Sequence, residues 1–319
     1  MPTDTAPPDA ALPELLGERR RLMNLAFRML GSWNDAEDIV QQTFVRWYQL
    51  SGDQRAAVER PAAWFTTTAS RLCLNVLDSA RVRKERYVGP WLPEPVPTDV
   101  GPGATIAVDP LDRVALDDSV SMALLVVLEA LTPAERVVFV LHEVFALPFP
   151  EIAEIVERSP AATRQLATSA RRHLRDARSR PASAVDHDRL VTAFRLACEA
   201  GDLAALIAVL DPAVVSTSDG GGKVRAARRP VEGAEGVARF LLGILAKRPD
   251  VSIEERAVNG RLGFVVVNRD GGVEAVMQFG VSGAVTTGAT GATGAAAPDT
   301  ARIGRIWIVL NPDKLRAFA

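Results

Sequence analysis

The stretch Leu22–Tyr48, LMNLAFRMLGSWNDAEDIVQQTFVRWY, repeats apolar residues at the spacing of two consecutive α-helices. Gly31 interrupts this pattern and indicates the C-terminus of the first helix, because glycine accepts the left-handed backbone that often ends a helix. The segment Asn34–Glu37 predicts a capping box at the start of the second helix. The inward face of that helix is apolar: Ala36, Val40, Phe44 and Trp47.

The second helix also has a polar, partly acidic outer face. A solvated surface is the ordinary interpretation of such residues. Further along, RPAAWFTTTASRLCLNVLDSAR (60–81) predicts a helix beginning at Pro61, a position that favours proline. It runs into the basic segment Arg81–Arg86, which is suited to phosphate contacts.

Both quoted stretches resemble region 2 of an extracytoplasmic-function (ECF) sigma factor, the promoter-specificity subunit of bacterial RNA polymerase. The resemblance implies that the polar face docks on the clamp coiled coil of the β′ subunit, through Glu37, Asp38, Gln41 and Gln42. It also implies that the helix after Pro61 reads the melted −10 element, where an unstacked base is captured in a pocket. The candidates for that contact are Trp64, Arg71, Asn75, Arg81 and Arg83.

A second helical module is predicted over 118–178. Thr132, Pro133 and Glu135 supply an N-cap, a first-turn proline and a reach-back carboxylate. Ser159-Pro160 begins another helix, and the two helices form a helix-turn-helix. A solvated face usually mixes charges of both signs, but this helix carries mostly arginine on its outer face, which favours DNA binding: Arg164, Arg171, Arg172, Arg175 and Arg178.

The stretch LTPAERVVFVLHEVFALPFPEIAEIV (131–156) resembles sigma region 4. The resemblance implies docking on the flap of the β subunit and recognition of the −35 element. The candidates for DNA contact are Ala161, Thr163, Arg164, Gln165, Arg171, Arg172 and Arg175. Sigma factors often carry Arg-Ala-Arg on this helix, whereas this chain has Ser169-Ala170-Arg171, which removes one candidate phosphate contact.

Residues 187–319 predict an α+β domain. An interrupted amphipathic helix leads into a strand, and a helix at Gly233–Ala246 has Val237, Phe240, Leu241 and Ile244 inward. Strands follow at about 251–258, 262–268, 273–281 and 303–310, with a low-complexity loop at 282–300 between the last two. Helices followed by a curved antiparallel sheet resemble the cone-shaped SnoaL-like (NTF2-like) fold.

The motif Ser218–Lys223, SDGGGK, invites comparison with a phosphate-binding loop. Its glycines are contiguous and valine follows the lysine, so the spacing of such a loop is not met. It therefore predicts a hairpin tip between Val214–Thr217 and Val224–Ala227.

Three motifs extend the resemblance to nearly the whole chain. WLPEP (91–95), DGGGK (219–223) and NPDKL (311–315) are similar to those of ECF sigma factors with a fused SnoaL-like domain, the SigJ-type group. The group implies a fold of two all-α sigma modules followed by an α+β cone domain: region 2 at 12–87, a Pro/Gly-rich linker at 88–117, region 4 at 118–178, and a SnoaL-like regulatory domain at 187–319.

The three motifs are expected to form a regulatory surface that controls the sigma factor in cis. WLPEP would dock on the C-terminal domain rather than on region 2, and Lys223 or Lys314 would pair with Glu94. The residues of this predicted surface are Trp91, Leu92, Pro93, Glu94, Pro95, Asp219, Gly220, Gly221, Gly222, Lys223, Asn311, Pro312, Asp313, Lys314 and Leu315.

Composition bounds the remaining possibilities. The chain has 319 residues and a net charge of −2, so DNA binding must come from local patches. Cys73 and Cys198 match no metal or redox spacing, and three scattered histidines give no metal site, so no cofactor and no enzyme activity are expected. A cytoplasmic protein without a membrane segment is expected.

Two alternatives stay open: a one-component DNA-binding regulator with a small ligand in the cone, and a DNA-targeted cyclase- or isomerase-like enzyme. The sequence specifies neither the promoter nor the inducing signal.

Overall fold

The computed structural model describes residues 12–85, 87–98, 121–177, 182–282 and 301–318, with the backbone alone at 12–16, 80–85 and 176–177. The described residues form two compact units. One combines those up to Arg83 with Leu128–His173, and the other combines Lys84–Val127 with Leu174–Ala319. The predicted loop at 283–300, the side chains of Arg81 and Arg83, and Arg178 lie outside the described residues.

The N-terminal helices follow the predicted order, with one change at a boundary. Ser32, not Asn34, caps the second helix, because its hydroxyl accepts the amide of Asp35 at 3.3 Å. Gly31 ends the first helix with φ of 66°, as the sequence predicts. The helices are α1 (Leu12–Leu30), α2 (Trp33–Gln49), α3 (Gly52–Ala56) and α4 (Pro61–Glu85).

An aromatic cluster packs α2 against α4. Phe44, Trp47, Trp64 and Phe65 have ring centroids 5.0–5.5 Å apart. Aromatic pairs at such separations add about 0.5–1.5 kcal/mol to the burial of their area. The cluster therefore fixes the angle between α2 and α4.

The second helical module also begins as the sequence predicts. The Thr132 hydroxyl accepts the Glu135 amide, and the Glu135 carboxylate accepts the Thr132 amide in return. Inside the same unit, the buried Arg136 donates to the carbonyl of Met29 at 3.0 Å and to the Glu129 carboxylate at 2.7 Å. The helices along this part of the chain are α5 (Met122–Glu129), α6 (Pro133–Phe139), a π-helical turn (Val140–Val144), α7 (Phe149–Ile155) and α8 (Pro160–Ala177). Residues 122–127 of α5 and 174–177 of α8 belong to the second compact unit.

The second unit is built on a six-stranded sheet with strand order β2-β1-β6-β5-β4-β3. Three helices accompany it: α9 (Ala184–Ala200), α10 (Leu203–Val209) and α11 (Ala234–Leu245). The strands are β1 (Leu210–Asp219), β2 (Val231–Glu232), β3 (Val251–Val258), β4 (Arg261–Asn268), β5 (Val273–Ser282) and β6 (Arg302–Val309). Helices ahead of a strongly paired sheet give the SnoaL-like (NTF2-like) α+β fold that the sequence predicts.

Three details of this domain differ from the sequence prediction. The sheet is mixed, because β1 pairs in parallel with β6. Val224–Ala227 is not a strand, and β1 pairs instead with the short β2, so SDGGGK opens a wide loop and is not the tip of a tight hairpin. Ile244 is 45% exposed, whereas Val237 and Leu241 are buried as predicted.

The two faces of the sheet have separate cores. One face packs against α9–α11 around Phe194, Phe264 and Phe279, whose ring centroids lie 5.0–6.0 Å apart. The other face is covered by residues 87–98, here called the strap, and by the C-terminal tail after β6. The apolar residues buried on this second face include Leu92, Trp307, Val309, Leu315 and Phe318.

Candidate functional site

The predicted polymerase-docking residues share one exposed face of α2. Glu37, Asp38, Gln41 and Gln42 are all exposed, while Ala36 and Val40 are buried behind them. The same stripe continues to two apolar residues that the sequence prediction missed, Val45 (47% exposed) and Tyr48 (56% exposed). Their positions, seven residues beyond Asp38 and Gln41, were the available signal.

The predicted −10 candidates differ in their exposure and in their hydrogen bonding. Asn75 is exposed on α4. Trp64 is half-buried, with its ring edge against Trp47 at 5.1 Å. The exposed Arg71 donates to the backbone carbonyl of Glu154 at 3.0 Å, so DNA contact by Arg71 requires this hydrogen bond to open.

The predicted −35 candidates on α8 divide into exposed, paired and buried residues. Arg171 forms hydrogen bonds of 2.9 and 2.5 Å with the Glu143 carboxylate. Thr163 is fully buried, and its hydroxyl donates to the Ser159 carbonyl at 3.0 Å, so its prediction as a base contact is wrong for this fold. The exposed candidates are Ala161, Arg164, Gln165, Arg172 and Arg175.

The three motifs of the C-terminal domain meet at the carboxylate of Asp219, which is fully buried. Its Oδ1 accepts the Tyr87 hydroxyl at 2.6 Å and the Gly221 amide at 3.0 Å. Its Oδ2 accepts the Leu92 amide at 2.9 Å and the Lys314 ammonium at 2.7 Å. Four donors from separate segments thus converge on one side chain, which we call the Asp219 cluster.

The Lys314 ammonium contacts both hydrogen-bond acceptors and aromatic rings. Besides Asp219, it donates to the carbonyl of Leu92 at 2.5 Å. The same nitrogen lies 4.0 Å from the centroid of the Trp91 ring and 5.2 Å from that of Tyr87. A cation over aromatic faces in a desolvated site is stabilised by about 2 kcal/mol.

The pairing of Glu94 with Lys223 or Lys314 stays a prediction. Lys314 pairs with Asp219, and Lys223 pairs with Asp313 on the surface at 2.5 Å. WLPEP lies against the C-terminal domain in the structure, as the sequence predicts.

Tyr87 is a member of the Asp219 cluster that the sequence prediction missed. Asn311 donates to its hydroxyl at 2.9 Å. Burial and the hydrogen bond to Asp219 raise the pKa of Tyr87, so its hydroxyl remains a donor at neutral pH. An aromatic residue four positions before Trp91 was the only signal in the sequence.

The remainder of the strap pairs with the turn between β3 and β4. The Val96 amide donates to the Asn259 side chain at 3.0 Å, and the Asn259 amide donates to the Val96 carbonyl at 2.8 Å. The Thr98 amide donates to the Ala257 carbonyl at 3.0 Å. Every residue from Leu92 to Pro97 is buried, so the strap is part of the domain's second core.

The glycines of DGGGK are explained by close packing in the same place. Gly221 has φ of +60°, and a Cβ there would lie 2.4 Å from the Asn311 side chain. A Cβ at Gly222 would lie 3.0 Å from Val88 of the strap. Side chains at these positions would push the tail or the strap away.

Comparison with known proteins shows the family. Two family models match: Sigma-70 region 2 over residues 17–85, and Sigma-70, region 4 over residues 121–174. The ECF RNA polymerase sigma factor SigJ of Mycobacterium tuberculosis is 38% identical over 301 residues, which cover 93% of this chain and 90% of that protein. The chain belongs to the ECF RNA polymerase sigma factors.

Two further comparisons agree with this assignment. The probable ECF sigma factor SigI of M. tuberculosis is 42% identical over 208 residues, covering 63% of this sigma factor and 67% of SigI. The crystal structure of M. tuberculosis SigJ superposes with a TM-score of 0.69 at 34% identity, covering 96% of this chain and 98% of that one. As a sigma factor, the protein binds RNA polymerase and directs promoter recognition.

Arg164 and Arg171 of this sigma factor are expected to differ in their importance for −35 binding. Arg164 is exposed and lies over the Phe149 ring at 5.7 Å, whereas Arg171 must first leave Glu143. Arg164→Ala should weaken binding to promoter DNA by about 1–3 kcal/mol if the arginine reads a base edge. Arg171→Ala should cost less. Fluorescence anisotropy against salt concentration measures both, and an Arg164→Ala protein with wild-type affinity at every salt concentration would contradict the assignment.

Among the residues that the structure describes, no helix is both long and apolar enough to span a lipid bilayer. Within the same residues, no group of three or more metal-binding side chains comes together.

Proposed function

We propose that the fused C-terminal domain controls this sigma factor in cis by holding the strap. The observation that carries the proposal is the buried Asp219 carboxylate, which binds the strap at Tyr87 and Leu92 and the tail at Lys314. The strap begins two residues after α4 ends at Glu85. The C-terminal domain therefore holds the chain at the end of the helix that carries the −10 candidates.

The energetics favour such control without a separate inhibitor protein. A partner on the same chain acts at a high effective concentration, so moderate contacts suffice. Four prolines, Pro90, Pro93, Pro95 and Pro97, stiffen the strap, which lowers the entropy lost on docking. Release of the strap would free the last turns of α4, where Arg81 and Arg83 lie.

The test is transcription in vitro with core polymerase and the double variant Asp219→Ala/Lys314→Ala. Removing both members of the ion pair avoids leaving either of these two charges without the other, so the domain should stay folded while the strap loosens. Transcription should change by about tenfold, which corresponds to 1.4 kcal/mol of coupling between strap and promoter binding. An increase would show that docking inhibits, and a decrease would show that docking assists.

The matched control is Lys223→Ala, which removes an exposed ion pair of the same motifs and should leave transcription unchanged. Amide hydrogen exchange in the strap reports whether the double variant has loosened it. Wild-type transcription from a folded double variant whose strap exchanges faster would refute control in cis.

We also propose roles for the exposed surfaces. Glu37, Asp38, Gln41 and Gln42 dock on the clamp coiled coil of β′, and region 4 docks on the flap of β. Residues 12–87 act as region 2, 88–117 as linker, 118–178 as region 4 and 187–319 as the regulatory domain. Core polymerase and the promoter are cytoplasmic in bacteria, and the protein works there with them. Within region 2, the −10 element is read by Trp64, Arg71, Asn75, Arg81 and Arg83.

The fused domain is proposed to act by binding and not by catalysis. Phe194, Phe264 and Phe279 pack together between the helices and the sheet, where a SnoaL-like enzyme would keep its reactive groups. The buried His187 lies near this interior, with its ring nitrogen 3.4 Å from the Phe279 carbonyl. These contacts support a packed interior that serves as a scaffold for the strap.

A further inference from the structure

A second feature of the C-terminal domain is a cavity of about 350 Å³ beside the glycine-rich loop. This volume lies at the lower end of the range for small-molecule sites. The cavity does not belong to the Asp219 cluster, because Asp219 is not among its lining residues. The lining consists of Val88, Gly89, Pro90, Ser218, Gly220, Gly222, Lys223, Val224, Arg225, Ala226, Ala227 and Arg228.

The lining is positively charged. It includes Lys223, Arg225 and Arg228 and no carboxylate. Lys223 shares its charge with Asp313, but among the described residues Arg225 and Arg228 form no ion pair. Both arginines are exposed. Two guanidinium groups are thus available at the mouth of the recess.

The inner wall of the cavity is polar and unsatisfied. Ser218 is only 3% exposed, and its hydroxyl makes no hydrogen bond to a described residue. The amides of Gly220 and Gly222 donate to no described acceptor either. A ligand in the cavity that accepts a hydrogen bond from Ser218 would give this hydroxyl a partner.

We infer that this cavity binds a small phosphorylated anion. Guanidinium groups match phosphate oxygens in pairs, and amides in a glycine-rich turn add further donors. The site differs from a P-loop, since no helix follows the glycines and the cations come from Arg225 and Arg228. A DNA backbone would need only an exposed ridge, whereas this site is recessed and reaches the buried Ser218.

The experiment measures binding of inorganic pyrophosphate to the full chain by isothermal titration calorimetry at constant ionic strength. Arg225→Ala/Arg228→Ala should weaken binding by about tenfold or more, because it removes both guanidinium groups from the lining. Arg229→Ala is the matched control, since Arg229 is an exposed neighbour outside the lining. The control should bind like the wild type.

Several results would overturn the inference. These are no heat of binding in the wild-type protein, equal affinity in the double variant, or citrate binding as tightly as pyrophosphate. A further outcome concerns duplex DNA. If the protein does not bind pyrophosphate, and the double variant and Arg229→Ala lose affinity for duplex DNA to the same extent, the arginines contact the DNA backbone instead. Polymerase is absent from the assay, so its outcome leaves the proposed control in cis untouched.

Discussion

Replacing Asp219 with asparagine is expected to loosen the strap by about 3–5 kcal/mol, because the buried Lys314 ammonium would lose the carboxylate to which it donates at 2.7 Å. The NH2 group of the asparagine, itself a donor, would also face hydrogen-bond donors whose bonds the carboxylate accepts. Native-state hydrogen exchange of the full chain measures the effect. The Leu92 and Val96 amides should exchange about 100-fold faster or more, since each 1.4 kcal/mol changes the opening equilibrium tenfold.

The double variant Asp219→Asn/Lys314→Met tests the cause. Replacing both charges with neutral groups of similar size should restore much of the protection, as for other buried ion pairs exchanged for neutral contacts. Lys223→Ala should change protection by less than about 1 kcal/mol, because its pair with Asp313 is exposed. Unchanged exchange of Leu92 in Asp219→Asn would show that the carboxylate does not hold the strap.

The second large effect is expected on the outer face of α2. Asp38→Arg together with Gln41→Ala should abolish binding to core polymerase, because it reverses a charge and removes an amide at the centre of the docking stripe. Both side chains are exposed, so the thermal unfolding midpoint should hardly move. Co-migration with core polymerase in size-exclusion chromatography measures binding.

Asp270→Arg is the matched control for this variant. It makes the same change of charge on an exposed turn of the C-terminal domain and should leave polymerase binding intact. Tyr48→Ala tests the extension of the stripe and should weaken binding without abolishing it. Wild-type affinity of the Asp38→Arg/Gln41→Ala protein would contradict the assignment of this face.

Sequence reasoning succeeded where the signal is local. The Thr132–Glu135 capping box and the strands predicted at 251–258 and 273–281 depend on residues close together in the chain, and the structure confirms them. The parallel pairing of β1 with β6 was missed, because it depends on residues ninety or more positions apart. Val224–Ala227 has β-compatible residues but forms no strand, since β1 already has β6 on one side and β2 on the other.

The candidate site was predictable as a set of motifs but not as a geometry. The resemblance grouped WLPEP, DGGGK and NPDKL, but it did not indicate that Lys314 pairs with Asp219. Partner choice among several carboxylates depends on burial, and only the structure places Asp219 beneath Lys314. The burial of Thr163 was missed because a helix that begins at Pro160 turns this residue toward the interior.

The parallel pairing of β1 with β6 determines which parts of this domain can change in length. Asp219 lies opposite Val309 at the common end of the two strands, and its carbonyl accepts the amides of Leu310 and Asn311 at 2.8 and 3.0 Å. Residues inserted or deleted between β5 and β6 leave this junction in register. One residue removed within β6 would turn Trp307 and Val309 to the opposite face and carry Lys314 away from its carboxylate. Changes of length before β6 should therefore be tolerated, while the short span from β6 to the tail has a fixed length.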